Sequence, residues 1–234
     1  MLSKLIPFIS ALVLKSSLVF SLYNGCPSLP EMPEQGFFSK DYFLSFKVGY
    51  EGDFLFGRKL KAQSISASNL SIDSTLHAAS FTLGFVNRVE VYSLLGASRT
   101  TLFLDPSDQS NQSLHTGNTF AAEGGIRAIL AFWREMKLGL DAKYFYAWPL
   151  QKEWQIGASL SQRFAFFLPY FGAKYAQFMQ DFHSSSLGSF SVENSNPFGL
   201  FIGLGIGSQI GPLFDIEVRF LDDYALTASL GLSF

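Results

Sequence analysis

The chain ends in Tyr224-Ala-Leu-Thr-Ala-Ser-Leu-Gly-Leu-Ser-Phe234, where apolar residues alternate with small or polar residues at every position. Successive side chains of a β-strand point to opposite faces, so this period of two predicts a strand with one apolar and one polar face. Strands of this kind cross outer membranes, with lipid against one face and a polar lumen against the other. This stretch therefore predicts a membrane-crossing strand.

The same period of two recurs from residue 41 onward. In the first such segment Tyr42, Phe46 and Val48 are apolar, whereas Lys47 and Gly49 between them are not. Its length exceeds that of an ordinary globular strand, about 5–6 residues. The alternation predicts about ten strands, around 42–56, 81–85, 89–97, 123–132, 136–148, 153–164, 170–178, 198–207, 214–220 and 224–234.

The predicted connections alternate between short and long. Short turns fall near 87–88, 133–135, 165–167 and 209–212, and longer polar segments span 57–73, 99–117 and 179–196. Outer-membrane barrels have short periplasmic turns and long external loops. An even number of strands then places both ends of the barrel in the periplasm, with 224–234 closing against the first strand.

The composition agrees with a membrane barrel. Charged residues make up 15% of the chain, whereas soluble domains carry roughly 25%, and no run approaches the roughly 20 apolar residues of a membrane-spanning helix. A soluble β-sandwich, the rival fold, would have polar outward faces and aromatic residues in mid-strand. Here Tyr144, Trp148 and Trp154 lie at strand ends, as in interfacial aromatic belts. The sequence predicts an all-β fold: a transmembrane antiparallel up-and-down β-barrel over residues 41–234.

Two segments precede the predicted barrel. Residues 1–21 have the features of a signal peptide, because Lys4 precedes an apolar stretch over 5–14 and small residues follow near 21. Residues 22–40 are rich in proline and are predicted to form a periplasmic linker. We therefore expect export to the outer membrane, with the lipid of that membrane as a partner.

The linker carries the single cysteine of the chain, Cys26. One cysteine cannot form an internal disulfide, and the residues ahead of it make a poor lipid-attachment signal. Two interpretations remain open. Cys26 forms one disulfide to another envelope protein in an oxidising compartment, or it stays an unpaired thiol in a flexible segment.

The alternation also predicts which charged residues face the lumen. Charges of both signs have the inward parity, and they nearly cancel. They either pair with one another inside a largely filled barrel, or line a water-filled path with weak ion preference. Since about eight strands leave room only for side chains, ten should leave a narrow channel at most. The predicted lumen-lining residues are Lys47, Glu51, Glu90, Glu123, Arg127, Asp141, Lys143, Glu153, Arg163, Lys174, Asp215, Glu217 and Arg219.

Other functions find little support in the sequence. A net charge of −2 gives no electrostatic footprint for nucleic acid. His77, His115 and His183 fall in or near predicted external loops, and Asp181 lies near His183, but no nucleophile pattern accompanies them. The sequence contains no G-x-S-x-G elbow, phosphate-binding loop or cysteine–histidine cluster. We predict no catalytic residue, no cofactor and no metal site.

Several segments resemble the chlamydial major outer membrane protein family. They include Phe46-Lys-Val-Gly-Tyr-Glu-Gly-Asp-Phe-Leu-Phe-Gly-Arg58, Arg88-Val-Glu-Val-Tyr-Ser-Leu-Leu-Gly-Ala-Ser98 and Pro169-Tyr-Phe-Gly-Ala-Lys-Tyr175, together with 125–128, 153–155 and 217–234. The resemblance covers most of the predicted mature chain. It implies an oligomeric, disulfide-linked porin that acts as a general diffusion channel and stiffens the envelope. This chain is shorter and has only Cys26, so at most one such disulfide forms.

Two hypotheses for the function follow. The first is a porin-like barrel that allows passive diffusion of small hydrophilic solutes and contributes to envelope structure. The second is a closed structural or adhesive barrel that acts through its external loops.

Overall fold

The computed structural model describes residues 44–62, 69–85, 88–105, 112–148, 151–184, 188–207 and 211–233. The predicted signal peptide, the linker and Cys26 lie outside these residues. None of the described residues belongs to a helix long and apolar enough to cross a membrane. The described residues form twelve strands: β1 (Leu44–Ala62), β2 (Asn69–Phe85), β3 (Val89–Asp105), β4 (Gln112–His115), β5 (Thr119–Trp133), β6 (Met136–Ala147), β7 (Gln151–Gln162), β8 (Phe167–Ser184), β9 (Gly188–Asn194), β10 (Phe198–Gly207), β11 (Gly211–Phe220) and β12 (Asp223–Ser233).

Ten of these strands form a closed antiparallel ring, in the order β1-β2-β3-β5-β6-β7-β8-β10-β11-β12 and back to β1. The closing contact pairs Tyr50 of β1 with Leu230 of β12. The predicted barrel, its strand number and its closure by the last strand are confirmed, and the sandwich is wrong because one sheet closes on itself. Closure also removes unpaired sheet edges, which lipid cannot satisfy.

The outer surface of the ring is apolar. In β12, Tyr224, Leu226, Leu230 and Leu232 are exposed, while Thr227 between them is fully buried in the lumen. The other strands of the ring show the same parity, and their exposed side chains are largely Phe, Leu, Ile and Val. A ring with an apolar outer face and a polar interior is a transmembrane barrel.

The prediction of three long loops, over 57–73, 99–117 and 179–196, is wrong. Strands β1, β2, β3 and β8 continue far into these segments, and two short strands, β4 and β9, add to them. Strand β1 is 19 residues long, whereas β10 has 10. The ring therefore carries a folded β-structure at the end opposite the short turns. We call this part the extension; it comprises 58–62, 69–76, 98–105, 112–115, 178–184 and 188–194.

The extension reverses the polarity of the barrel. On β2 the exposed side chains Phe81 and Leu83 face lipid, but farther along the same outward face lie Ser71 and Asp73. The inward face changes in the opposite sense, and Ile72 is 1% exposed. Polar residues outside and apolar residues inside are the pattern of a strand in water. The strand therefore leaves the membrane without a break in its pairing.

An irregularity in β1 marks the start of the extension. The register of β1 against both neighbours shifts between Leu55 and Arg58. An extra residue of this kind turns the strand and changes which parity faces inward. Leu55 and Arg58 are both buried in the lumen as a result.

Strands β10, β11 and β12 are short and do not reach into the extension. There, β9 takes their place between β8 and β1. It pairs with β8 on one side, and on the other Val192 and Asn194 pair with the end of β1. Polar contacts hold this crossing in place: Asn194 Nδ2 donates to Ala176 O (2.8 Å), and Ser195 N donates to Lys59 O (3.0 Å). The β8–β9 hairpin thus lies across the end of the lumen.

Candidate functional site: the lumen

The structure buries nearly all of the thirteen predicted lumen residues. Lys47 and Arg163 are partly exposed, and the other eleven belong to the buried set of polar and charged side chains. Asp53 and Lys137 share this environment. Arg58, Asp222 and Asp223 do so as well, and the sequence reasoning missed these three. Among the described residues that face the lumen, the acids outnumber the bases. The acids are Glu51, Asp53, Glu90, Glu123, Asp141, Glu153, Asp215, Glu217, Asp222 and Asp223, and the bases are Lys47, Arg58, Arg127, Lys137, Lys143, Arg163, Lys174 and Arg219.

A first group of charges lies at the end of the lumen with the short turns. Lys47 donates to Glu90, and Arg127 lies 3.6 Å from Glu90 and 3.5 Å from Asp141. Tyr92 donates its hydroxyl proton to Asp141 Oδ2 (2.8 Å), and the Arg127 guanidinium lies 4.6 Å from the centre of the Tyr92 ring. Each charge has a partner of opposite sign, which offsets the cost of removing it from water.

A second group spans the middle of the barrel. Arg219 and Thr227 both donate to Asp53 Oδ1. Lys143 Nζ lies 3.6 Å from Glu123 Oε1. These contacts lie within two sets of neighbouring strands on opposite sides of the ring, β11–β12–β1 and β5–β6, and their side chains are buried toward the middle of the lumen.

A third group, which we call the latch, lies where the extension begins. Arg58 donates two hydrogen bonds to Glu153 (2.7 and 3.1 Å) and one to Asp223 (3.0 Å). Lys174 Nζ lies 3.0 Å from Asp223 and 2.9 Å from Asp222. A bidentate arginine–carboxylate pair is the strongest form of protein ion pair. The latch links β1, β7, β8 and the start of β12 across the lumen.

Asp222 belongs to the turn between β11 and β12 rather than to a strand. Burial raises the pKa of its carboxyl to about 6, against the attraction of Lys174, and the charge of Asp223 raises it further. The raised pKa means that the folded state holds this proton more tightly than the unfolded chain does. The resulting stability is present in acid and is lost as the pH rises through about 6.

An apolar cluster, which we call the plug, fills the extension and continues into the adjoining part of the ring. The Arg58 guanidinium lies 5.1 Å from the centre of the Phe178 ring, which is the lowest layer of the plug. The rings of Phe182 and Phe190 stack above it with their centres 5.8 Å apart. A void of about 20 Å³ lies between side chains of the latch and the plug. The buried side chains of the plug are Leu55, Leu60, Leu70, Ile72, Leu76, Ala78, Leu94, Leu102, Leu104, Ala121, Phe145, Ala147, Phe178, Phe182, Phe190, Val192 and Ala225.

A cavity of about 90 Å³ enters the lumen from the opposite end. Its wall includes the charged side chains Lys47, Glu51 and Arg127, and the apolar side chains Leu168 and Leu213. Toward the middle of the barrel its wall includes Glu51, Tyr92 and Leu94, which are all buried. We call this cavity the vestibule.

Two tyrosines fill the lumen by lying over glycines of the next strand. Tyr92 is paired with Gly125, and Tyr170 with Gly203. A Cβ atom added to Gly125 would lie 2.5 Å from the Tyr92 hydroxyl oxygen. Tyr92 cannot swing aside freely, because its hydroxyl binds Asp141 and its ring lies against Arg127.

We expect Gly125→Ala to lower the free energy of unfolding by about 1–3 kcal/mol, the usual cost of overpacking a filled interior. Gly124 is the matched control, since it is exposed, lies on the same strand and has no atom within 4 Å of an added Cβ. Gly124→Ala should leave stability unchanged within about 0.5 kcal/mol. Denaturant unfolding in detergent micelles measures both, and equal costs would contradict the Tyr92–Gly125 contact.

The histidines lie on strands rather than in the predicted loops. His77, on the outward face of β2, stacks against Tyr50, with ring centres 5.9 Å apart. His115 of β4 contacts Thr101 and Ser113, and His183 belongs to β8. Within the described ranges no three His, Cys, Asp or Glu side chains come together as metal ligands.

Closure of the ring and the polar lumen define the class of this chain, a transmembrane β-barrel of the outer-membrane type. No family model matches the chain, and no curated protein matches it. It is similar to the solved structure of the KdgM porin (TM-score 0.36, 11% identity, 80% of this chain and 99% of that one). It is also similar to the β domain of the Bordetella autotransporter BrkA (0.37, 9%, 82% and 99%) and to the CymD monoaromatic hydrocarbon channel (0.30, 10%, 81% and 87%). These scores are low, and the fold rests on the strand pairing described above.

Proposed function

We propose that this chain is an outer-membrane barrel that is closed to solutes in the conformation described, and that it contributes to the structure of the envelope. The observation that carries the proposal is the pair of barriers in series. A hydrated solute would have to break the latch, where Arg58, Glu153 and Lys174 are each about 2% exposed, and then pass the dry plug around Phe178.

Placement in the membrane is supported by the outer surface. Exposed aromatic side chains such as Trp133, Trp148 and Tyr224 lie near the ends of the strands, and aliphatic ones such as Ile156 and Ile202 lie between them. This order is typical of a lipid-facing band between aromatic girdles. In an outer membrane the short turns face the periplasm and the extension faces outward.

Passive diffusion of small hydrophilic solutes is the second candidate. The observation that favours it is the vestibule, whose charged wall reaches from the turn end toward the middle of the barrel. Conduction would require the latch and the plug to rearrange, because side chains fill both in the described conformation. The two candidates therefore differ in whether the unmodified barrel conducts.

Planar-bilayer recording of the refolded protein tests this difference. We expect no discrete conductance steps from the wild type, with insertion verified by protease protection in liposomes. As a comparison, the triple variant Arg58→Ser, Glu153→Ser and Phe178→Ala removes the ion pair together with the ring above it and leaves Lys174 with Asp223. This variant should conduct. Steps from the wild type at a frequency proportional to protein would reject the closed barrel and support passive diffusion.

The resemblance to the chlamydial major outer membrane protein family supports the same class of protein, and it adds two proposals. The barrel forms a homo-oligomer, and Cys26 makes one disulfide to a neighbouring envelope protein. Strand β1 contains the whole of the first resembling segment, 46–58, including the buried residues Asp53 and Arg58. The predicted signal peptide, Cys26 and the linker lie outside the described residues.

A further inference from the structure

Glu51 is a buried acid in the vestibule that has no partner of opposite charge among the described residues. The residue is 4% exposed, and its Oε1 atom accepts no hydrogen bond. Its side chain forms part of the wall of the 90 Å³ cavity. Buried carboxylates are ordinarily paired, metal-bound or protonated, because an isolated charge in a dry interior is very costly.

The bases that act on Glu51 are already engaged by other acids. Lys143 and Arg127 both attract it electrostatically, but Lys143 lies 3.6 Å from Glu123 and Arg127 lies 3.5 Å from Asp141. The excess of acids over bases in the lumen agrees with one carboxylate in this region being left without a counter-charge.

The groups of the cavity wall that could act as ligands are oxygen atoms, since its side-chain nitrogen atoms belong to the cations Lys47, Arg127 and Arg163. Glu51 is paired directly with Ser229 of β12, and Ser229 is paired in turn with Asp215 of β11. All three side chains line the cavity, as do Ser80 and Thr82 of β2. Carboxylate and hydroxyl oxygens are hard ligands that suit alkali and alkaline-earth cations.

We propose that the vestibule binds a small monovalent cation, Na⁺ or K⁺, through the Glu51 carboxylate and the neighbouring hydroxyl groups. The size of the cavity fits this class, since a water molecule needs roughly 10–15 Å³ of such volume, which leaves room for an ion with part of its hydration shell. A dedicated divalent site is disfavoured, because no group of three acidic or histidine ligands occurs among the described residues. The wall contains three bases, and two of them, Lys47 and Arg127, are neutralised by Glu90 and Asp141.

Thermal unfolding of the refolded barrel in a zwitterionic detergent tests the site. NaCl, KCl and N-methylglucamine chloride are compared at equal ionic strength, because N-methylglucamine screens charge but is too large to enter the cavity. A ligand that binds only the folded state raises its stability. We expect the midpoint to be about 2–4 °C higher in NaCl or KCl, with saturation as the salt rises. The difference should disappear in Glu51→Gln.

Glu193→Gln is the matched control, since Glu193 lies outside the lumen and its ion pair with Lys61 is solvent-exposed. It should keep the full response to Na⁺. A midpoint that is equal in the three salts, or a response that survives in Glu51→Gln, would overturn the proposal. So would a midpoint that rises on acidification with no dependence on the cation, because Glu51 would then be neutralised by a proton.

A second measurement covers the case in which Glu51→Gln does not fold. The sodium NMR line of the wild-type sample should be broadened by the barrel and restored by added KCl, but not by N-methylglucamine chloride. A line width that is unaffected by the protein, or that both salts restore equally, would speak against a cation site.

Discussion

Replacing Arg58 with methionine should lower the free energy of unfolding by about 3–5 kcal/mol, the usual cost of removing one partner of a buried ion pair. Methionine is close to arginine in length and keeps the contact with the Phe178 ring. It leaves Glu153 without its bidentate donor and removes one hydrogen bond from Asp223. Glu153 is 2% exposed, so water cannot replace the lost hydrogen bonds. Denaturant unfolding in micelles, followed by tryptophan fluorescence, measures the loss.

Two further variants separate this effect from a general loss of charge. Lys61→Met removes the base of the ion pair between Lys61 and Glu193, which is exposed and should contribute less than about 1 kcal/mol. Arg58→Met combined with Glu153→Leu removes the pair together, and it should recover a large part of the loss because no orphaned carboxylate remains at 153. If Arg58→Met costs no more than Lys61→Met, the latch does not stabilise the barrel.

Strict alternation was enough to predict the membrane ring. In β6, Met136, Leu138 and Leu140 face outward while Lys137 and Asp141 are buried, as the parity requires. The signal is strong here because lipid imposes an apolar face and the lumen tolerates charge, so the two faces differ in chemistry at every position. A shift of one residue would place Asp141 in lipid, so the pattern specifies the register as well as the strand.

The alternation did not predict the extension, because there the outward face is polar and the inward face is apolar. Leu70, Ile72 and Leu76 share one parity, and Ser71 and Asp73 share the other, so the period of two was present in the segment predicted as a loop. Its polar residues favour a loop when a lipid-facing strand is expected, but in water they mark the outer face of a strand. The buried leucines at even spacing were the signal that could have revealed the extension.

The latch could be predicted only in part, for a different reason. Glu153 and Lys174 follow the parity of their strands, so they were assigned to the lumen. Arg58 lies beyond the register shift in β1, after which even-numbered instead of odd-numbered residues face inward. No sequence pattern indicates this shift. Asp222 and Asp223 lie at a short turn, where strand parity does not apply. Asp222 packs directly against Gly199, and a Cβ atom at residue 199 would clash with it.

The exchange of polarity predicts where the membrane stops, and two arginine substitutions should locate that boundary. Ile202 and Phe103 are both exposed apolar residues on outward faces, at 55% and 42%. Ile202 is paired with Val218 and Phe171, in the middle of the apolar band, whereas Phe103 is paired with Ser71 and Ser113, in the extension.

Ile202→Arg should therefore cost about 2–4 kcal/mol in lipid vesicles, as a charged side chain does near the bilayer midplane. Phe103→Arg should cost less than about 0.5 kcal/mol, as an exposed substitution in water does. Reversible unfolding in vesicles by denaturant gives both values, and repeating it in short-chain detergent should reduce the cost of Ile202→Arg alone. Equal small costs at both positions would mean that the ring is not embedded in lipid. Equal large costs would mean that the bilayer reaches Phe103. The polar outward side chains of β2 and β3 in the extension would then have to contact another protein instead of water.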